Sequence, residues 1–273
     1  KDKAKEIKPI DLNELKLSTL KQLLTLPEIK KEPDIETYSK EDIIKKIVLT
    51  KINNDEIVTA TGVLEILPDG FGFIRIDNYL PGSYDIYVSQ SQIKRFSLSS
   101  GDNLSGDIRP PKNDERYFSL LKINYINNSQ PTNNASRIQF SYLTPIYPTD
   151  QLKLETGQLP ISGRIIDMLS PIGKGQRSMI VSPPKAGKTS ILKDIANSIS
   201  INHPEVIIKV LLIDERPEEV TDMKRSVNGE VIYSTFDEPP EQHVRISELV
   251  LESAKRLVEA HKDVVILLDS ITR

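Results

Sequence analysis

The chain has 273 residues, a formal net charge of −3, 38% hydrophobic and 27% charged residues, and no cysteine. That length holds about two domains at ~150 residues each, and the missing cysteines exclude a disulfide framework and a thiolate metal site. No apolar run approaches the ~18 residues of a membrane span, the first ten residues lack the apolar stretch of a secretory leader, and the acidic total leaves any nucleic-acid binding to local patches.

The cytoplasm is the expected location. The sequence starts without Met and stops just after the apolar run "DVVILLD", so a piece of a longer protein is expected.

Residues 10–52 read as a helical segment. Leu12, Leu15, Leu20, Leu23 and Leu24 recur at roughly helical intervals in "DLNELKLSTLKQLL". In "YSKEDIIKKIVLTKI" Ser39 is placed to cap a second helix, with Asp42 three residues on. Residues 55–130 are short alternating segments broken by Gly, Pro, Asn and Asp, the pattern of a small antiparallel barrel. Residues 131–160 are polar and proline-punctuated, a connector.

From 161 to 273 the pattern changes. "RSMIVSPP" reads as a strand and "KTSILKDIANSIS" as a helix with Ile191, Leu192, Ile195, Ala196 and Ile199 on one face. "VIIKVLLID" and "DVVILLD" are continuous apolar runs separated by helical patterns such as "ISELVLESAKRLVEAHK". Buried strands alternating with helices make a parallel sheet covered by helices.

Within this half, "SPPKAGKTS" is a relaxed phosphate-binding loop, with Gly187, Lys188 and Thr189 at the positions of G-x-x-x-x-G-K-[ST] and Ser182 in place of the first glycine. Pro183 and Pro184 offer no N–H, so an anion cradle would come from Lys185, Ala186, Gly187, Lys188, Thr189 and Ser190. Pro183 biases Ser182 toward extended backbone, which removes the need for glycine there. Lys188 is placed to reach the β- and γ-phosphates and Thr189 to put its hydroxyl on Mg²⁺. Asp269 ends an apolar strand, at the carboxyl edge where open α/β sheets bind ligands, and can hold the Mg²⁺ shell directly or through water. Glu215, in "VLLIDERPEEV", is the candidate to orient and deprotonate an attacking water; dipole pairing at a helix start accounts for Glu218 and Glu219 better than for Glu215. In "SPIGKGQRS" two glycines flank Lys174, a tight basic turn expected close to the nucleotide, although spacing alone says little.

The barrel segment holds a second candidate site. In "LPDGFGFIRI" Phe71, Phe73 and Arg75 alternate with Gly72, Ile74 and Ile76. The isoleucine face suits a core. The other ends in an arginine, so it is expected to meet solvent with two aromatics exposed. "SYDIYVS" pairs Asp85 with Tyr87 against Ile86 and Val88, and "NDERYFSLL" pairs Glu115 with Tyr117, with Arg116 on the opposite side. These aromatics either plug the barrel or form a stacking platform for single-stranded bases, worth ~1–3 kcal/mol per base; the carboxylates can accept from a cytosine amino group. Three such strands together favour the platform.

Taken in combination, "DGFGFIR", "DIYVSQSQIKRF", "IRPPKNDERYF", "SPIGKGQRS", "PPKAGKT", "LLIDERPEEVTDM", "STFDEP" and "DVVILLDSITR" resemble the Rho family of bacterial transcription termination factors. The resemblance runs from about residue 12 to the last residue. It implies a multidomain α+β and α/β chain: a small helical N-terminal subdomain, an OB/cold-shock-like five-stranded β-barrel, and a truncated RecA-type parallel-sheet P-loop ATPase core that assembles as a homohexameric ring. It implies binding of single-stranded, pyrimidine-rich, cytosine-preferring nascent RNA, and RNA-dependent hydrolysis of ATP with Mg²⁺. That hydrolysis would drive 5′-to-3′ translocation, helicase action and transcript release from RNA polymerase, with elongation factors as further partners.

The RNA site implied comprises Gly70, Phe71, Gly72, Phe73, Ile74 and Arg75, then Asp85, Ile86 and Tyr87, then Glu115, Arg116 and Tyr117. ATP would be held by Gly173, Lys174, Gly175, Gln176, Arg177 and Ser178, by Lys185 to Ser190, and by Arg216. Glu215, Lys188 and Asp269 would be the catalytic set. Ser182 stands where the family commonly has alanine, and Ser178 ends its turn unusually. The family's pore loops, adenine-stacking aromatic and arginine finger lie beyond residue 273, so weak turnover is expected of this chain. The alternatives are an RNA-binding module with an inactive ATPase half, and a ring ATPase of the rotary-synthase type.

Overall fold

A computed structural model describes residues 10–26, 38–112, 115–131 and 137–271. The chain divides into two compact units, 1–136 and 137–273. Residues 27–37 of the expected helical segment and 132–136 of the expected connector lie outside the described residues.

The expected N-terminal helical run is broken. Ile10–Asp11 forms a short strand, β1, followed by α1 (Leu12–Leu17) and α2 (Leu20–Leu24). Asp11 caps α1 by accepting from the Asn13 N–H. Thr19 and Gln22 then form a reciprocal capping box that restarts the helix. Local side-chain caps thus overrode the leucine spacing. Helix α3 (Lys40–Asn53) begins where expected, with the Ser39 hydroxyl accepting from the Asp42 N–H.

The barrel comprises β2 (Val58–Ile66), β3 (Gly72–Arg75), β4 (Ile86–Val88), β5 (Asn103–Arg109) and β6 (Phe118–Ile126), with helix α4 (Gln90–Arg95) between β4 and β5. Its order is β2-β3-β4-β6-β5, closed by β5 pairing back to β2. β4 and β6 run parallel and the other barrel pairs antiparallel. β1 adds in parallel to β2. Closure needs close backbone approach: a Cβ on Gly106 would lie 2.2 Å from the Lys122 carbonyl oxygen, so only glycine fits there.

One core spans helices and barrel, including Leu12, Leu23, Ile44, Ile47, Leu64, Ile74, Ile86, Val88 and Leu104. Each aliphatic side chain so buried contributes about 1.5–3 kcal/mol. The helical segment therefore has no core apart from the barrel's.

In the second unit, β7 (Ile207–Glu215) is flanked by β8 (Glu230–Thr235) and β9 (Val264–Asp269) in an all-parallel sheet. The helices are α5 (Ile161–Leu169), α6 (Lys188–Asn202), α7 (Pro217–Ser226) and α8 (Pro240–Glu259). Pro217 and Pro240 open α7 and α8 at the first turn, where no N–H is missed. On α6, Ile195, Ala196 and Ile199 are buried and Ile191 and Leu192 pack against the core. Leu152 and Leu154, inside the expected connector, are also buried in this core. β8 alternates buried and half-buried residues over only six positions, too brief to stand out in sequence.

The expected strand "RSMIVSPP" does not form. Residues 177–181 pair with no strand, and Met179 and Val181 are 71% and 83% exposed. The apolar run is only three residues long, and the two prolines after it cannot donate to a ladder.

Candidate nucleic-acid interface and phosphate loop

On the barrel, Phe71, Phe73, Tyr87 and Tyr117 form one cluster. Phe73 lies 5.0 Å from Tyr117, 6.0 Å from Tyr87 and 5.9 Å from Phe71, and Phe71 is 5.7 Å from Tyr87, centroid to centroid. All four rings are half-buried and none belongs to the hydrophobic core. The barrel interior is filled by Ile74, Ile86, Val88 and Leu104 instead, so the rings do not plug it. Gly72 is buried beneath them, and Gly70 sits in the preceding turn at φ +85°.

Pairing places two of these rings, Phe73 and Tyr87, in a row across the barrel wall. Glu65 opposes Phe73, Phe73 opposes Tyr87, Tyr87 opposes Ser119, and Ser119 opposes Arg109. Residues opposed in this way share a face.

Arg75 departs from expectation. It is 4% exposed rather than solvent-facing, held between Glu65, at 2.7 Å, and Asp85. β3 ends at Arg75, whose guanidinium lies over the Phe73 ring at 5.0 Å from its centroid while reaching the two carboxylates; an arginine buried in that way must be paired. Asp85 is also buried, accepting from Arg75 and from the Gly82 N–H at 2.9 Å, while its Oδ1 has no partner among the described residues. Burial pushes the Asp85 carboxyl above its ordinary value, against the opposing pull of Gly82 and Arg75.

Glu115 is exposed and accepts from Arg109 at 2.7 and 2.9 Å and from the Lys112 N–H at 3.1 Å. The Arg109 guanidinium, aided by Lys112, holds its carboxyl down to about 2. Arg116 lies over the Tyr117 ring at 5.7 Å. Glu65 and Arg109 were missed in sequence: Glu65 lies on β2, and Arg109 precedes Glu115 by six residues across a double proline. Their only sequence signal was charge beside the aromatic strands.

In the second unit, Gly187 caps α6 in the left-handed region at φ +92°, and Lys185 is also left-handed at φ +61°. Left-handed residues just ahead of a helix N-terminus are the backbone setting in which N–H groups can cradle an anion. The Thr189 hydroxyl donates to Asp269 Oδ2 at 2.8 Å, joining residues 80 positions apart, and Asp269 is 6% exposed. Lys188 makes no ion pair among the described residues. Ala186 and Ser190 sit exposed on the loop and the first turn of α6.

Glu215 ends β7 beside Thr235, three residues beyond Leu212, which opposes Asp269. Arg216 follows as the exposed residue before α7. Both therefore stand at the carboxyl edge with Asp269.

The basic turn does not. Lys174 pairs with Asp263 at 2.5 Å, its N–H donates to the Asp150 carbonyl, and Gly173 bridges Gln151 and takes up Gln176. Asp263 lies just before β9, and Asp269 ends it. At ~3.3 Å per residue, Gly173, Lys174, Gly175 and Gln176 sit a strand's length from the loop. Arg177, Ser178 and the three residues after them connect that turn to the loop.

A closed barrel with rings outside its core is thus followed along the chain by a glycine-bearing loop whose Thr189 meets a strand-end aspartate. Residues 60–132 match the family described as Rho termination factor, RNA-binding domain, and residues 162–273 the ATP synthase alpha/beta family, nucleotide-binding domain. The chain is 52% identical over 269 residues to a transcription termination factor Rho of Salmonella typhimurium and to that of Escherichia coli, covering 97% of this chain and 64% of each relative. It is 53% identical over 269 residues to that of Pseudomonas fluorescens, with the same coverage. A solved ATP synthase subunit of Nanoarcheaum equitans matches 49% of this chain and 33% of that one at 21% identity, and its TM-score of 0.36 carries no argument.

Over 97% of its length the chain is thus similar to transcription termination factors Rho, and its barrel matches their RNA-binding domain. The chain spans 64% of the length of the curated relatives it matches. No helix among the described residues is long and apolar enough to cross a membrane.

Proposed function

We propose that this chain carries the RNA-binding and nucleotide-binding portion of an RNA-dependent ATPase that translocates 5′ to 3′ along cytosine-rich nascent RNA and drives transcription termination. The observation that carries the reading is the cluster of four half-buried rings outside the barrel core. A ring cluster of that kind offers stacking surface to bases and has little use in a purely structural barrel. It also speaks against a rotary-synthase role, despite the nucleotide domain shared with that family.

Phe71, Phe73, Tyr87 and Tyr117 stack bases, while the carboxylates of Asp85 and Glu115 accept from exocyclic amino groups. In the second unit Lys185 to Ser190 cradle phosphates, and Lys188 neutralises the terminal ones. The oxygens of Thr189 and Asp269, already 2.8 Å apart, suit a hard divalent cation such as Mg²⁺, which would neutralise phosphate charge there. Glu215 orients and deprotonates the attacking water, and Arg216 contacts the nucleotide. In the whole protein these units assemble as a homohexameric ring acting on RNA polymerase. Turnover by this chain alone is weak.

The test is fluorescence anisotropy with oligo(C), oligo(A) and matching DNA. Oligo(C) binds tightest, and Tyr87→Ala weakens it by roughly tenfold or more, the scale of ~1–3 kcal/mol per stacked base. Equal weak binding to all three, unchanged in Tyr87→Ala, would sink the reading. ATP hydrolysis by the longer parent protein separates this motor from an RNA-binding module with an inactive nucleotide half.

A further inference from the structure

We propose that Arg109 is a positioning residue for base selection: it fixes the Glu115 carboxylate at the rim of the ring cluster so that only a base bearing an exocyclic amino group is accepted there. The inference rests on the proposed RNA site and adds a residue to it. Its first support is placement. Arg109 closes β5, opposite Ser119, and Ser119 is opposite Tyr87. Neighbouring strands lie ~4.8 Å apart, so the Arg109 backbone stands about two strand spacings from that of Tyr87, on the same row.

The second support is geometry. The guanidinium grips Glu115 with two parallel bonds, Nη1 to Oε2 at 2.7 Å and Nη2 to Oε1 at 2.9 Å. The Lys112 N–H adds a third, to Oε2 at 3.1 Å. A two-point grip fixes the plane of the carboxylate as well as its position. Left to itself, a half-exposed glutamate would sample several rotamers.

The third support is lone-pair arithmetic. A carboxylate offers about four acceptor sites. Among the described residues Oε2 uses two of its own and Oε1 uses one, which leaves Oε1 one site for a base. That site is acceptor-only. Cytosine presents an amino donor and satisfies it, whereas uracil presents a carbonyl oxygen and opposes it. Discrimination thus comes from a fixed acceptor, and the fixing comes from Arg109. Lysine in its place would keep the charge and lose the fork.

Anisotropy with oligo(C) and oligo(U) tests this on the wild type, Tyr87→Ala, Arg109→Ala, Arg109→Lys and Glu115→Gln. Tyr87→Ala weakens both oligomers. Arg109→Ala weakens oligo(C) about tenfold and leaves oligo(U) within about twofold, as loss of one charge-assisted base contact predicts. Arg109→Lys falls between. Glu115→Gln, whose amide oxygen would be taken by Arg109 and whose NH₂ would face the base, moves preference toward oligo(U).

Equal loss on both oligomers in Arg109→Ala would make the residue a phosphate contact or a structural one, and an unchanged C-to-U ratio would overturn the proposal while the site stands. No oligo(C) binding by the wild type, or none lost in Tyr87→Ala, is failure of the site itself. Should Arg109→Ala not fold, Arg109→Lys and Glu115→Gln carry the test, and an unshifted ratio in both overturns the proposal.

Discussion

The two candidate sites are built to different standards. On the barrel every strand is paired on both sides, and the rings and Arg75 are fixed by the closed wall beneath them. At the phosphate loop, among the described residues, the sheet has three strands, residues 177–181 run unpaired, and one side-chain hydrogen bond, Thr189 to Asp269, joins the loop to the strand. A site resting on a closed sheet is assembled before its ligand arrives. One resting on a few polar contacts is completed by what binds it. The difference teaches where each unit stores its specificity: the barrel in side-chain placement, the loop in backbone N–H groups.

The comparison breaks most sharply at Arg75. Arg75→Ala leaves Glu65 and Asp85 without their shared counter-ion and should cost about 3–5 kcal/mol. Denaturant unfolding would show the barrel transition move while that of the second unit stays; a shift below ~1 kcal/mol would mean the pair contributes little. A smaller effect is expected at Gly187, held at φ +92°. Gly187→Ala should cost about 1–2 kcal/mol in backbone strain and weaken binding of a fluorescent ATP analogue, with oligo(C) affinity untouched. Loss of RNA binding in that variant would show the units are not separable.

The smallest effect is in pH. The raised Asp85 carboxyl means the folded barrel holds that proton more tightly than the unfolded chain, so its contribution is full at low pH and is lost as pH rises past the ordinary value of 3.8. Glu115 has the opposite sign: its contribution is full well above 4.5 and is lost progressively as pH falls from there to about 2. Between about pH 3.5 and 5 the two groups therefore tilt barrel stability in opposite directions, so Asp85→Asn and Glu115→Gln should change its slope with opposite signs. A change of the same sign in both variants would overturn the assignment.

Much of this was legible in sequence, and particular residues show why. The phosphate loop, Asp269 and the apolar strands β7 and β9 carry periodicity and spacing that survive folding. So does the alternation of Phe71, Phe73 and Tyr87 with core isoleucines. The burial of Arg75 was not legible, because alternation gives a face but not a partner, and Glu65 lies on another strand. The leucine run of α1 and α2 misled because Thr19 and Gln22 outcompete helix continuation locally. The strand expected at 177–181 failed because three apolar residues followed by prolines hold too few donors for a ladder. The GKGQRS turn is tied through Lys174 to Asp263 at the start of β9, a strand's length from the loop that nearness in sequence does not disclose.

That strand length has a mechanical meaning. Lys174 is tied to Asp263 and Thr189 to Asp269, so the stretch from 174 to 189 is pegged at both ends of β9. Its unpaired middle is a tether of fixed span, and laying it against the edge of β9 closes a loop that is already almost closed. Closure entropy grows only slowly with loop length, and here most of it has been spent in setting the two pegs.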